Sequence, residues 1–293
     1  MMKPLKTPQD YDGQIKRLVE KHGLIVEDNK AAKDILSNVN YYRLSAYGIG
    51  LKLGDDPERY QEGVTLDHLF HLHQFDSHLR TLLIPVIEYL EISLRTKIAY
   101  HLALTYGAEG YRDKENFSVK IRNTGVEVHP YVMGQLDKEI ERQKNLPCVK
   151  HHITTYDGHF PVWAAIELFT FGMLSSLFST MEKEDQKAIA KLYGTDSKVL
   201  GGWILALVEV RNICAHYGRI YNMPLKQQPY LYSEYRQYRS NRIFPLLLTM
   251  KRMLQGQSVW TNFYTSLVGL VDEYSEIKKE FMGFPENWEE ILK

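Results

Sequence analysis

The chain has 293 residues, 44% of them apolar and 25% charged, and its formal net charge is zero. That length holds one large or two modest domains, and the composition is that of an ordinary globular protein rather than a disordered or fibrous one. Zero net charge excludes attraction of nucleic acid by bulk electrostatics, so any such contact must come from a local patch.

Cys148 and Cys214 are the two cysteines. Without paired spacing they read as reduced thiols in a cytoplasmic protein, not as a disulfide framework. The opening six residues lack the apolar stretch of a secretory signal, and no apolar run reaches membrane-spanning length, so no membrane partner is expected.

In chain order, residues 1–12 form a polar lead-in with two prolines. Residues 14–22 read as a short helix stopped by Gly23, and residues 28–38 as a second with Ile35 and Leu36 inward. The aromatic stretch Asn40-Tyr41-Tyr42-Arg43-Leu44-Ser45-Ala46-Tyr47 follows, then a loop from position 54 to 63. Thr65 opens a long helical pattern to about Tyr106. Its apolar positions Leu69, Leu72, Phe75, Leu79, Leu82, Val86, Leu90, Leu94 and Ile98 step by three and four. Pro85 is expected to kink it or divide it in two. Residues 107–130 are loop-like, and 131–145 form a charged amphipathic helix. Asp157-Gly158 is a turn, and Pro161 opens a helix over 162–181. Residues 182–193 form another, closed by Gly194.

Asp196 or Ser197 caps the helix that organises the chain. Leu200, Trp203, Leu207, Val210 and Cys214 make its core-facing stripe, while Glu209, Asn212 and His216 lie on roughly the opposite side. Arg211 sits at the edge of the stripe, about 140° from His216 on an ideal helix. Beyond Asn222 the chain turns polar and rich in tyrosine and arginine up to Arg242; from position 217 it carries five basic side chains against one carboxylate. Two more helices, over 243–254 and 259–279, and a short segment around Trp288 end the chain. No period-two strand stands out, so the fold is all-α: one bundle with an N-terminal helical appendage.

Arg211 and His216, with four residues between them, suit metal-free RNA cleavage. A histidine, whose ordinary pKa lies near 6.5, can take the 2′-hydroxyl proton or give one to the leaving oxygen. An arginine can hold the non-bridging phosphate oxygens. Asn212, four residues before His216, could orient the imidazole or bind the phosphate. Spacing alone is weak, because Arg17/His22, Arg95/His101 and Arg122/His129 have similar spacing in a chain with eleven histidines. The plain alternative is a helix end with cations near its carbonyls. The histidines at 68, 71, 73 and 78 do not complete a metal set, and Glu88 and Glu91 read as bundle ion pairs. Segment 217–242 has the ingredients to stack bases and touch phosphates, or else is a packed crossover loop. No signature of a nucleotide, cofactor or hydrolase site occurs, so no cofactor is expected.

Four blocks in order carry a resemblance. They are residues 14–23 with Asn40 to Tyr47; Phe75-Asp76-x-x-Leu79-Arg80 with Ile87-Glu88-x-x-Glu91-x-x-x-Arg95; Pro161-Val-Trp163 to Ser175, with Glu167 and Gly172; and Arg211-Asn212-x-x-x-His216-Tyr217-Gly218-Arg219-Ile220-Tyr221-Asn222. The chain resembles, over nearly its whole length, the Abi family of bacterial abortive-infection proteins of the AbiD/AbiF type, within the wider HEPN superfamily. The resemblance implies a HEPN-like helical bundle over residues 64–293 with the appendage at 1–63. It also implies a metal-independent ribonuclease acting as a toxin in phage defence. Its catalytic residues would be Arg211, Asn212 and His216, supported by Glu91, Glu167 and Arg219. RNA contacts are expected from Tyr217, Tyr221, Arg236, Arg239 and Arg242. Partners implied are the RNA substrate, a structured small RNA and a second copy, the site being built from two motifs in a homodimer. The competing expectation is a non-catalytic module that binds RNA or senses a phage component through the same surface.

Overall fold

Leucine-rich steps of three and four residues make the stretch after Thr65 the axis of the molecule. The protein is known here from a computed structural model that describes residues 7–293; the start of the polar lead-in lies outside the described residues. Helices α1 (Tyr11–Glu20), α2 (Asn29–Asn38) and α3 (Tyr41–Ser45) precede α4 (Leu66–Tyr106). Then come α5 (Val128–Arg142), α6 (Pro147–Thr155), α7 (Val162–Ala165), α8 (Phe171–Thr180), α9 (Lys183–Lys191) and α10 (Ser197–Ala215). The remaining helices are α11 (Phe244–Met253), α12 (Ser258–Glu273) and α13 (Trp288–Leu292). Among the described residues extended pairing occurs only as isolated bridges, so the fold is all-α. No helix of the described residues is long and apolar enough to cross a membrane.

The Thr65 hydroxyl caps α4 by accepting from the His68 N–H at 2.9 Å. Its 41 residues span roughly 60 Å. Pro85 does not divide it. A proline inside a helix costs about 3 kcal/mol or more. Burial of Leu83, Val86 and Ile87 around it, at about 1.5–3 kcal/mol each, offsets that cost. The buried stripe follows the expected positions except at Leu82, which is half-buried while Leu83 takes the core place. Against α4 pack α10, α12, α7, α9, α3 and α2, and Leu18, Ile35, Leu36 and Leu44 of α1 to α3 join the same apolar core.

The single helix expected over 162–181 is broken. After α7 a 3-10 turn, Ile166–Leu168, leads to extended backbone at Phe169, and Thr170 caps α8 by accepting from the Met173 N–H at 3.2 Å. The break frees the carbonyls of Ile166 and Glu167, which accept from Arg95 Nη1 at 3.0 Å each. A helix over Pro147–Thr155, unforeseen in the sequence, starts with its proline in the first turn, where the missing N–H costs nothing. The last long helix ends at Glu273, short of the expected 279.

Asp76 is fully buried on α4 and ties distant segments together. Its Oδ1 accepts from the backbone N–H of Ile220 at 2.9 Å and of Tyr221 at 2.7 Å. Its Oδ2 accepts from the Tyr47 hydroxyl at 2.7 Å and pairs with Arg80, whose Nη1 also donates to the Gly218 carbonyl at 3.1 Å. Removing one partner of a buried pair strands the other charge, a loss of about 3–5 kcal/mol. Asp76→Ala is therefore expected to lower stability by about that amount in equilibrium urea unfolding, while Asp272→Ala on the exposed side of α12 changes it by less than about 0.5 kcal/mol. A small effect at Asp76 would show that this carboxylate does not hold the loop.

Candidate functional site

The Asp196 carboxylate caps α10 by accepting from the Val199 N–H at 2.9 Å. The stripe from Leu200 to Cys214 is buried as the periodicity predicts. Burial pushes the Cys214 thiol up to about 12, so this cysteine inside the motif is an inert core residue rather than a nucleophile. Glu209 departs from the expected outward cluster. Its carboxylate accepts from the N–H groups of Lys226 and Gln227 at 2.8 and 2.7 Å and anchors the returning chain.

Arg211 is half-buried and lies over α4. Its Nε is 3.5 Å from Oε2 of the buried Glu91, and its Nη1 donates to the Asn212 side-chain oxygen at 3.2 Å. Glu91 also pairs with Arg95, so one carboxylate stands between two guanidinium groups. These residues, with Ile84, Glu88, Ile92, Glu167 and Ala215, line an open cleft of about 450 Å³. Glu167 is exposed on its rim and contributes its backbone carbonyl to Arg95. Asn212 is exposed, and its amide engages Arg211 rather than His216. His216 is the exposed C-terminal cap residue of α10, and its ring makes no hydrogen bond among the described residues. Arg211 thus lines the cleft, while His216 is exposed at the helix end and is not among the residues lining it.

The turn after His216 is tightly built. The Gly218 N–H donates to the Ile213 carbonyl at 2.7 Å and the Tyr217 N–H to the Cys214 carbonyl at 3.1 Å, a Schellman ending. The residue at its left-handed position is Tyr217, with φ of 56°, where glycine is usual. Gly218 admits no side chain: a Cβ there would lie 2.9 Å from Ile213 Cγ2 and 3.0 Å from its carbonyl. Arg43 of α3 donates to the Tyr217 carbonyl, and its Nε donates to His73 Nε2 at 3.3 Å. Burial, aided by Arg43 and Arg80, lowers the pKa of His73 and keeps it a neutral acceptor.

The expected RNA-contacting residues separate. Tyr217 is exposed. Tyr221 is not available: it is 1% exposed, meets Phe75 and Phe281 edge-on or tilted, and its hydroxyl accepts from the Lys278 N–H at 3.0 Å. This corrects its assignment, and the reason is that Asp76 pulls the backbone at Ile220 and Tyr221 inward. Tyr232, Tyr235 and Tyr238 also pack on the core, so much of segment 217–242 is a packed crossover. Arg236 and Arg239 stay exposed but line neither the cleft nor the pocket beside Tyr217. Arg242 is half-buried and close enough to Arg219 to disfavour its charge. The four spaced histidines of α4 serve separate contacts: His71 with Glu276, His73 with Arg43 and His78 with the Tyr274 hydroxyl, while His68 is partly buried, which lowers its pKa. Among the described residues no three His, Cys, Asp or Glu side chains converge on a metal position.

An all-helical protein with an exposed Arg-x4-His helix end, its arginine held by a buried carboxylate of the central helix, is the class that fold and site define. A family model described as "Abi-like protein" matches residues 34–222. The chain belongs to that family, and membership suggests a role in abortive infection. The match is narrower than the near-complete resemblance read in the sequence; it omits residues 14–23 and closes at Asn222, so it takes in Arg211 to Tyr221 but not Arg236, Arg239 or Arg242. No curated protein and no solved structure matches the chain.

A non-glycine residue in the left-handed region costs roughly 1–2 kcal/mol. Since the Tyr217 ring is exposed and gains little from packing, Tyr217→Gly is expected to raise stability by about 1 kcal/mol in urea unfolding. No gain, or a loss, would show that the ring is there for packing.

Proposed function

We propose that the protein is a metal-independent endoribonuclease of the HEPN type acting in abortive infection. The observation that carries this reading is the division of labour at one helix end. Glu91 holds the Arg211 guanidinium in a cleft, while His216 is exposed and its ring has no hydrogen-bond partner among the described residues. In the reaction the 2′-oxygen of RNA attacks the adjacent phosphorus as an imidazole takes its proton. The bond to the 5′-oxygen breaks as a protonated imidazole supplies that oxygen with a proton. The products are a 2′,3′-cyclic phosphate and a 5′-hydroxyl, with no water or metal consumed. Arg211 offsets charge on the non-bridging oxygens, and Asn212 steadies Arg211. His216 is not among the residues lining the cleft that holds Arg211, and the reading calls for a second copy, the two motifs meeting across a homodimer.

A second reading has its own support. Glu91 already neutralises part of the Arg211 charge, as it would if the arginine were structural and the surface only bound RNA or a phage component. The two are separated by incubating the purified protein with RNA in EDTA. The nuclease reading expects cleavage under chelation that leaves cyclic phosphate ends and falls at least about 100-fold in His216→Ala and Arg211→Ala. Equal cleavage in the variants removes these residues from the chemistry. RNA retention without products favours the binding module.

A further inference from the structure

A pocket of about 690 Å³ is lined in part by the three residues that follow His216 and shares no lining residue with the Arg211 cleft. Asn40, Tyr42, Arg43, Ala46 and Tyr47 form one wall, from α3 and its flanks, and Tyr217, Gly218 and Arg219 form the other. Its volume lies within the range of sites that hold one small organic ligand. Two walls drawn from segments far apart in sequence meet here because Asp76 and Arg43 both fasten the turn after α10.

The side chains at its mouth are unusual for a surface without a ligand. Tyr42 is 86% exposed and Tyr217 is 71% exposed, yet Tyr217 occupies a backbone conformation that disfavours any side chain. An exposed ring kept at such a position gains nothing for the fold and needs another use. Arg219 is half-buried. Among the described residues its buried Nη1 has no hydrogen-bond partner, and its Nη2 has only the Met223 sulfur at 4.0 Å. Burial and the neighbouring Arg242 disfavour its charge, a penalty that a bound anion would relieve. The other polar groups are already committed: Asn40 caps α3 through the Tyr42 N–H, and Tyr47 donates to Asp76.

Exposed rings beside a guanidinium with unspent donors match a nucleotide with an unpaired base, the rings stacking on the base and the cation taking the phosphate. A base inside a duplex has no free face to offer. We infer that this pocket holds one nucleotide of single-stranded RNA next to His216, with the base on Tyr42 and Tyr217 and its phosphate on Arg219. The inference rests on the ribonuclease reading for its choice of RNA, and it assigns to the N-terminal helices a part in substrate binding.

The test measures binding apart from cleavage. A fluorescein-labelled ten-nucleotide oligoadenylate RNA is titrated with full-length His216→Ala protein by fluorescence anisotropy, alone and combined with Tyr42→Ala or Tyr217→Ala. Each tyrosine substitution is expected to weaken binding roughly 5- to 100-fold. Tyr42→Trp, which keeps a stacking face, is expected to retain it, and the same RNA annealed to its complement is expected to bind more weakly. Tyr42 is so exposed that its loss leaves the fold intact, and urea unfolding checks this. If both alanine variants bind the single strand like their parent, the pocket assignment is overturned whether or not the wild-type protein cuts RNA. If binding depends on Tyr42 while the wild-type protein cuts nothing, the pocket stands and the nuclease reading falls.

Discussion

Asp76 sits in the apolar stripe of α4 with no solvent exposure, and four donors from three parts of the chain meet its carboxylate. Burying such a charge among leucines is costly unless it is paired and its lone pairs are filled. Here both oxygens are used, by two backbone N–H groups, a phenol and a guanidinium. The backbone at Ile220 and Tyr221 therefore cannot swing away without exposing unpaired polar groups. That constraint decides where α10 stops, which way Tyr221 points, and that Tyr217 to Arg219 lie against α3.

The same helix carries a second carboxylate with a different character. Glu91 is flanked by Arg95 and Arg211 and lines an open cleft, where solvent and ligand oxygens can compete for its partners. The Asp76 cluster is sealed and behaves as a fastening. The Glu91 cluster sets two guanidinium groups on one buried carboxylate, and with Glu88 and Glu167 the cleft lining carries three carboxylates against two cations. Arg211 is thereby held in one orientation at the cleft.

The helices were legible because α4 and α10 keep a three-and-four spacing of apolar residues over many turns, and because Thr65 and Asp196 mark their starts. Arg211, Asn212 and His216 were singled out by the same spacing, and the partnership of Glu91 with Arg95 by its position four residues earlier. What stayed hidden depends on tertiary contacts. Asp76 lies 144 residues from Ile220, and nothing local marks it as the acceptor for that segment. Tyr221 reads in sequence like its polar, aromatic neighbours, and only the pull of Asp76 sends it into the core. The break at Phe169 and Thr170 falls in an apolar run with helical periodicity, where the Thr170 hydroxyl offers a competing cap and Arg95 takes up the freed carbonyls. Tyr42 and Arg43 were visible as residues but had no assigned chemistry until the fold set them beside Tyr217.

Asp76 and Glu91 belong to one helix that continues through Pro85, and the fifteen residues from one to the other correspond to a helical rise of roughly 22 Å. The first holds the ground beneath Tyr217 and Arg219, and the second holds Arg211. α4 thus works as a ruler under both ends of the motif. Loops around it can lengthen or drift, as loops do, while the spacing of these two anchor points stays constant as long as the helix does not bend. A one-residue insertion between Asp76 and Glu91 would rotate one anchor by about 100° relative to the other, so this interval should tolerate substitution far better than any change in length.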